Sequence, residues 1–249
     1  MLLAALSIAT RAADQVPVRQ KEGVTHGFLS LRSLDGKKLA EGESTETTHG
    51  DIVADHLIFR FRDGSSYEDT SEFSQKTRFR LLKDHLVQKG LSFKQPMETW
   101  IDTVTGQVVV RYQTKDGKGQ ELKQNLTLPP DLANGMLFTV VKDISPQAAL
   151  TTLSYLAATP KPRIVKVEIL PEGKKRLAAS SDDEAEVYRL KFKIGGVLGM
   201  VASLAHKQPP DTRVWVLRAG APTFIKSEGP LYDSGPIWRI EVVGPPGNF

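Results

Sequence analysis

Turn-forming dipeptides that end in glycine recur through the chain, at Asp35-Gly36, Asp63-Gly64, Thr105-Gly106, Asp116-Gly117, Glu172-Gly173, Ala219-Gly220 and Ser234-Gly235. Most of them separate short stretches in which apolar and polar residues alternate. Glycine accepts the positive φ that tight hairpin turns require, so Asp-Gly between alternating runs marks a hairpin. A long antiparallel meander built this way has to close or curl to protect its edges. The expected fold is therefore mainly β: an antiparallel meander forming a closed or half-open barrel with one or two short helices.

The alternation is explicit in several segments. Leu57, Phe59 and Phe61 alternate with Ile58, Arg60 and Arg62, and Val108, Val110 and Tyr112 with Val109, Arg111 and Gln113. Period-2 alternation indicates one buried and one wetter face. Later strands are expected over Ile164–Leu170, Val187–Ile194, Arg213–Leu217, Thr223–Ser227 and Ile237–Val243. Pro129-Pro130 interrupts the strands, and Asp131 is placed to cap a helix whose stripe is Leu132, Met136, Leu137, Val140 and Val141. That pattern predicts about ten helical residues over 131–141. The segment 196–206 is apolar and Gly-containing, which predicts a second short helix or a hydrophobic loop. It would act as a plug fixed against the sheet or as a gate over a cavity mouth, with Met200 at its centre.

The 249 residues carry 33 basic and 29 acidic side chains for a net charge of +4, with no long basic block. Nucleic-acid binding needs a clustered basic stripe with aromatic platforms, so no nucleic-acid partner is expected. Cysteine is absent, which rules out disulfides, Cys-ligated metals and thiol nucleophiles within these residues. The apolar run Met1–Ala9 followed by Thr10-Arg11-Ala12-Ala13-Asp14 has the character of a secretory h-region and cleavage site. Residues 1–13 are expected to be a signal peptide and 14–249 a single β-barrel-like domain, placing the protein in the periplasm or otherwise outside the cytoplasm. A buried N-terminal strand or helix is the alternative.

Several stretches carry a resemblance together: Arg60-Phe61-Arg62-Asp63-Gly64-Ser65, Phe73-Ser74-Gln75, His85-Leu86-Val87-Gln88-Lys89-Gly90, Leu128-Pro129-Pro130-Asp131-Leu132-Ala133-Asn134-Gly135, Lys207-Gln208-Pro209-Pro210-Asp211, Glu228-Gly229-Pro230-Leu231-Tyr232 and Gly235-Pro236-Ile237-Trp238-Arg239. They resemble an uncharacterised family of exported bacterial β-rich proteins over most of the chain after residue 13. In layout the chain is more distantly similar to the half-open barrels of periplasmic lipoprotein carriers. That likeness implies a deep pocket suited to an acyl chain.

Candidate sites follow from these patterns. Trp100, Tyr112, Tyr188, Met200, Trp215 and Trp238 are the candidate ligand-binding residues, as aromatic and flexible apolar side chains that line a cavity or serve as ordinary core. If Asp35-Gly36 makes a two-residue turn, His26 faces Thr45, and His26, His49 and Asp51 share one rim within reach of a metal. Their spacing matches no metal signature, so no metal or other cofactor is expected. No Gly-x-Ser-x-Gly elbow, phosphate loop or Gly-x-Gly-x-x-Gly occurs. The acidic set Glu41, Glu43, Glu46, Glu68, Asp69 and Glu72 reads as a solvated face rather than as paired catalytic carboxyls. The expected job is non-enzymatic: a cell-envelope protein holding a lipid, another apolar small molecule or a protein partner in a concave face, with peripheral membrane contact as a further possibility. A hydrolase on the same scaffold and a purely structural module are the rivals, and the sequence leaves the oligomeric state open.

Overall fold

The computed structural model describes residues 15–114, 116–177, 184–194 and 209–244. Among the described residues strands take 60% and helix 3%, which settles the class as mainly β. The elements are β1 (Thr25–Ser33), β2 (Lys38–His49), β3 (Ile52–Phe61), β4 (Ser66–Ser74), β5 (Arg80–Lys89), β6 (Met97–Asp102), β7 (Gln107–Gln113), β8 (Gly119–Asn125), α1 (Leu137–Asp143), β9 (Thr151–Ala157), β10 (Arg163–Arg176), β11 (Glu184–Lys193), β12 (Thr212–Leu217), β13 (Thr223–Pro230) and β14 (Ile237–Val243).

All fourteen strands form one antiparallel sheet in the order β8-β7-β6-β5-β4-β3-β2-β1-β14-β13-β12-β11-β10-β9. Every neighbour is sequential except β1 and β14, which zip the first eight strands to the last six. The sheet curls without closing, because β8 and β9, the strands at its two ends, do not pair with each other. The expected half-open barrel is what forms.

The register of the first hairpin follows the Asp35-Gly36 turn: His26 faces Thr45. The loop is one residue longer than a two-residue turn: Leu34, Asp35 and Gly36 lie between Ser33 and Lys37, where Ser33 N–H donates to the Lys37 carbonyl and Gly36 adopts φ +92°. A register shift between Leu31 and Arg32 absorbs the odd residue.

The helix expected over 131–141 is corrected. Helix α1 begins at Leu137, and Asp131 caps nothing. Residues 131–134 instead run along the outer edge of β9. Ala133 N–H donates to the Ser154 carbonyl (3.0 Å) and Ser154 N–H to the Asp131 carbonyl (3.3 Å). The Asn134 side chain then acts as one more residue of strand, donating to the Leu156 carbonyl (2.9 Å) and accepting from Leu156 N–H (2.8 Å). An uncovered sheet edge exposes a row of unpaired backbone groups, and satisfying that row outweighs the propensity of 131–135 to coil. Gly135, at φ +66°, turns the chain from this edge into α1.

The curl encloses two apolar clusters. The larger unites Val53, Phe73, Leu81 and Val108 from one half of the sheet with Leu153, Val167, Tyr188 and Val214 from the other, around Leu132, Met136, Val140 and Val141. Helix α1 and the segment before it therefore plug one end of the barrel. Residues 15–22 strap that end: Val18 N–H donates to Thr77 O and Phe79 N–H to Val16 O (3.0 and 3.1 Å), while Asp143 accepts from the Gln20 amide (2.8 Å). The smaller cluster joins Leu29, Leu31, Phe59, Phe61, Tyr67 and Phe93 at the opposite end.

Candidate functional site

Between the two clusters the described residues leave the concave face unfilled. A cavity of about 520 Å³ lies beside the strap and α1, lined by Glu22, Glu46, Asp55, Leu57, Phe138 and Lys142 among others. It shares Leu57, Gly135, Phe138 and Ile240 with a middle cavity of about 120 Å³, which Tyr67, Asp69, Tyr155, Phe192 and Trp238 also line. The middle cavity shares Tyr67, Tyr155, Phe192 and Leu231 with a third, of about 110 Å³, that reaches Ile194, Pro209, Pro210 and Tyr232. Together they make one trough along the concave face, polar beside the strap and increasingly aromatic toward Tyr232.

The strand register builds the wall of this trough. Cross-strand pairing sets Glu46, Asp55, Ser71 and Asp84 in one row across β2 to β5. The next row on the same face is Ser44, Leu57, Asp69 and Leu86, and the one beyond is Gly42, Phe59, Tyr67 and Gln88. Gly42 is required there, since a Cβ at that position would collide with the Phe59 ring. A Cβ at Gly135 would collide with Asp84 Oδ1 and with the Ser71 side chain, so the turn before α1 presses directly on the acidic row.

These carboxyls are far from an ordinary aqueous setting. Asp69 and Asp84 act directly on one another, and burial raises both, Asp84 further through the adjacent Asp69 charge. Two carboxyls in such contact hold a proton between them. Burial first, then the charges of Glu46 and Asp69, push Asp55 up to about 8. Burial also raises Glu22 to about 7 against the opposing pull of Lys142. Lys142 Nζ sits 2.8 Å from Glu22 and 3.9 Å from Glu46, so that lysine is committed to them. Asp55 Oδ1, Asp69 Oδ1, Ser71 Oγ and Asp84 Oδ1 are buried and receive no hydrogen bond from any donor group of the described chain. Thr139, which donates to Glu46 at 3.2 Å, completes the polar end.

The candidate residues read from sequence divide between the two faces. Trp238 lines the trough, packed on Phe61 (5.6 Å between ring centroids) and Tyr232 (5.8 Å). Tyr188 is wholly buried in the larger core, where its hydroxyl donates to the Ile144 carbonyl (2.7 Å) and Arg218 donates to it (2.7 Å). Tyr112 packs against the same core near β8 and lines a separate open groove. Trp100 lies on the opposite face of β6 from the buried Met97, Thr99 and Ile101. There it stacks on His85 (4.7 Å) and carries the Arg111 guanidinium at 4.6 Å. Trp215 is buried in a small separate cluster with Ala185 and Val187, with Lys226 Nζ 4.3 Å from its ring. Met200 and the rest of 196–206 lie outside the described residues.

The acidic set also needs correcting. Glu41, Glu43, Glu68 and Glu72 face solvent, but Glu46 is buried and Asp69 lines the trough. Asp55, Ser71 and Asp84 were not among the candidates. The signal for them was present: Asp55 is in phase with Val53, Leu57 and Phe59, and Asp69 and Ser71 with Tyr67 and Phe73. A polar residue on the apolar phase of a strand points inward unless the register slips.

Among the described residues no group of three or more His, Asp or Glu is placed to hold a metal ion. Asp51 is instead paired with Lys21 (2.7 Å) and His26 with Glu43 (3.6 Å). His56 and His85 bond Glu68 (2.9 Å) and Glu98 (3.0 Å) on the outer face, and no described histidine bonds a serine. No helix among the described residues is long and apolar enough to cross a membrane. Comparison with protein-family models, curated proteins and solved structures returned no match.

Proposed function

We propose that this is an exported cell-envelope protein that holds an apolar ligand, such as a lipid chain, in the trough of its half-open barrel. One observation carries the reading: among the described residues, a sheet of fourteen strands with an internal plug leaves its concave face unfilled along three adjoining cavities. Interiors normally pack to crystal-like density, so an unfilled apolar channel of this length forfeits dispersion contacts that a bound chain would restore. Its aromatic end around Phe192, Tyr155 and Trp238 gives rigid apolar walls, which is the usual make-up of a small-molecule site. The resemblance to exported bacterial proteins and the apolar leader support the envelope location. No triad or metal centre among the described residues favours hydrolysis.

Native mass spectrometry of protein purified from an envelope fraction tests both parts. A retained lipid-sized mass on a chain beginning at Ala13 or Asp14 is the expected result. Leu57 lines both the larger and the middle cavity, so Leu57→Trp should fill the junction between them. Binding of a fluorescent apolar probe should weaken by about tenfold or more. The melting temperature should move by only a few degrees, roughly the effect of 1 kcal/mol or less. Unchanged probe affinity in Leu57→Trp would reject the trough as the site.

A further inference from the structure

Resting on the trough reading, we propose that its ligand is a cationic amphiphile, whose primary ammonium head docks on Asp55, Asp69 and Ser71 while its chain runs toward Trp238. The first observation is an inventory of acceptors. Asp55 Oδ1, Asp69 Oδ1 and Ser71 Oγ are buried with no donor from the described chain, and Ser71 is only 2% exposed. Asp55 lines the larger cavity and Asp69 the middle one, while Ser71 stands between Asp55 and Asp84 in the cross-strand row. An ammonium carries three N–H donors and no acceptor, which matches two carboxylate oxygens and a serine hydroxyl that turns to accept.

The second observation is charge. The charged and titratable groups that act on this point are Glu22 from the strap, Glu46 from β2, His56 from β3, Asp84 from β5 and Lys142 from α1, with Tyr67 and Tyr155 beside Asp69 and Asp84. Lys142 is held by Glu22 and Glu46. An anionic head would meet like charge here, and a neutral hydroxyl would leave at least one carboxyl uncompensated. Buried, unpartnered carboxyls answer their isolation by holding protons, and an arriving ammonium displaces those protons. Binding should therefore release protons and strengthen as pH rises through the raised carboxyl range.

The test compares dodecylamine, dodecanoic acid and dodecanol as competitors of a fluorescent apolar probe on the full chain. At about pH 8 dodecylamine should bind at least about tenfold more tightly than the other two, and the margin should shrink as pH falls toward 5. Calorimetry in two buffers of different ionisation enthalpy should show proton release for the amine alone. Asp69→Asn should abolish the preference, bringing dodecylamine to within about threefold of dodecanol measured on the same variant. Equal affinities for the three, or a preference for the acid, would overturn the head-group assignment and leave the trough standing. Failure of all three to bind would overturn the trough as well.

Discussion

At the residue scale the informative side chains are those whose polarity conflicts with their position. Asp84 is 4% exposed and its one charged neighbour among the described residues is Asp69, so ionising it places charge in a setting that no described cation relieves. Asparagine keeps its shape, removes the titration and offers an N–H to Asp69. Asp84→Asn should stabilise the fold by about 1–2 kcal/mol at pH 8 and by much less at pH 5, where the native pair is already protonated. Chemical denaturation at the two pH values measures this. A loss of stability at pH 8 would mean that a donor satisfies the carboxylate. Tyr188 shows the opposite case: it is buried as deeply, but its hydroxyl both donates and accepts, so it serves the core.

Among the elements, the segment before α1 does the most to decide the shape. It covers the β9 edge through Ala133 and Asn134, and then presses Gly135 against the acidic row. Asn134→Ala would leave the N–H and the C=O of Leu156 without partners in a site where residue 134 is 5% exposed. That should cost about 2–4 kcal/mol, the penalty of two buried unsatisfied groups. Hydrogen exchange should show the loss concentrated in β9, with Leu156 exchanging at least as fast as its neighbours. The β8 edge has no such cover among the described residues. Its burial pattern is mostly exposed, and its surface is carried by Gln120, Glu121, Lys123 and Gln124. Polar and charged side chains on an open edge discourage pairing with another chain.

For the whole molecule, the raised carboxyls fix how stability responds to pH. Each of Glu22, Asp55, Asp69 and Asp84 titrates higher in the folded chain than in the unfolded one, where carboxyls titrate near 4. Between those limits the folded state holds more protons, so stability falls as pH rises. The contribution is complete below the unfolded range and is lost as pH passes through about 7 for Glu22 and about 8 for Asp55. The melting temperature of ligand-free protein should therefore drop between pH 5 and pH 9. Addition of an ammonium amphiphile at the upper end should restore part of the loss through linkage. A melting temperature that climbs steadily over the same range would contradict the buried row.

The sequence by itself determined the class and much of the pairing. Alternation over residues such as Leu57, Phe59 and Phe61, with glycines at the turns, admits few arrangements other than a meander, and the Asp35-Gly36 turn set His26 against Thr45. These features are local, and side-chain period and turn chemistry act over a few residues. Tertiary structure alone decided what the faces enclose. Whether Trp100 or Trp238 meets the trough depends on which face of each strand turns inward once β1 pairs with β14, a contact between the two ends of the described strand series. The Asp69–Asp84 pair exists because β4 and β5 are held in one register, and its character arises from burial that neither strand provides alone. Likewise the apolar stripe over 132–141 was legible, but not that its first residues would be taken by the edge of β9, whose need for partners appears only when the sheet stops short of closing.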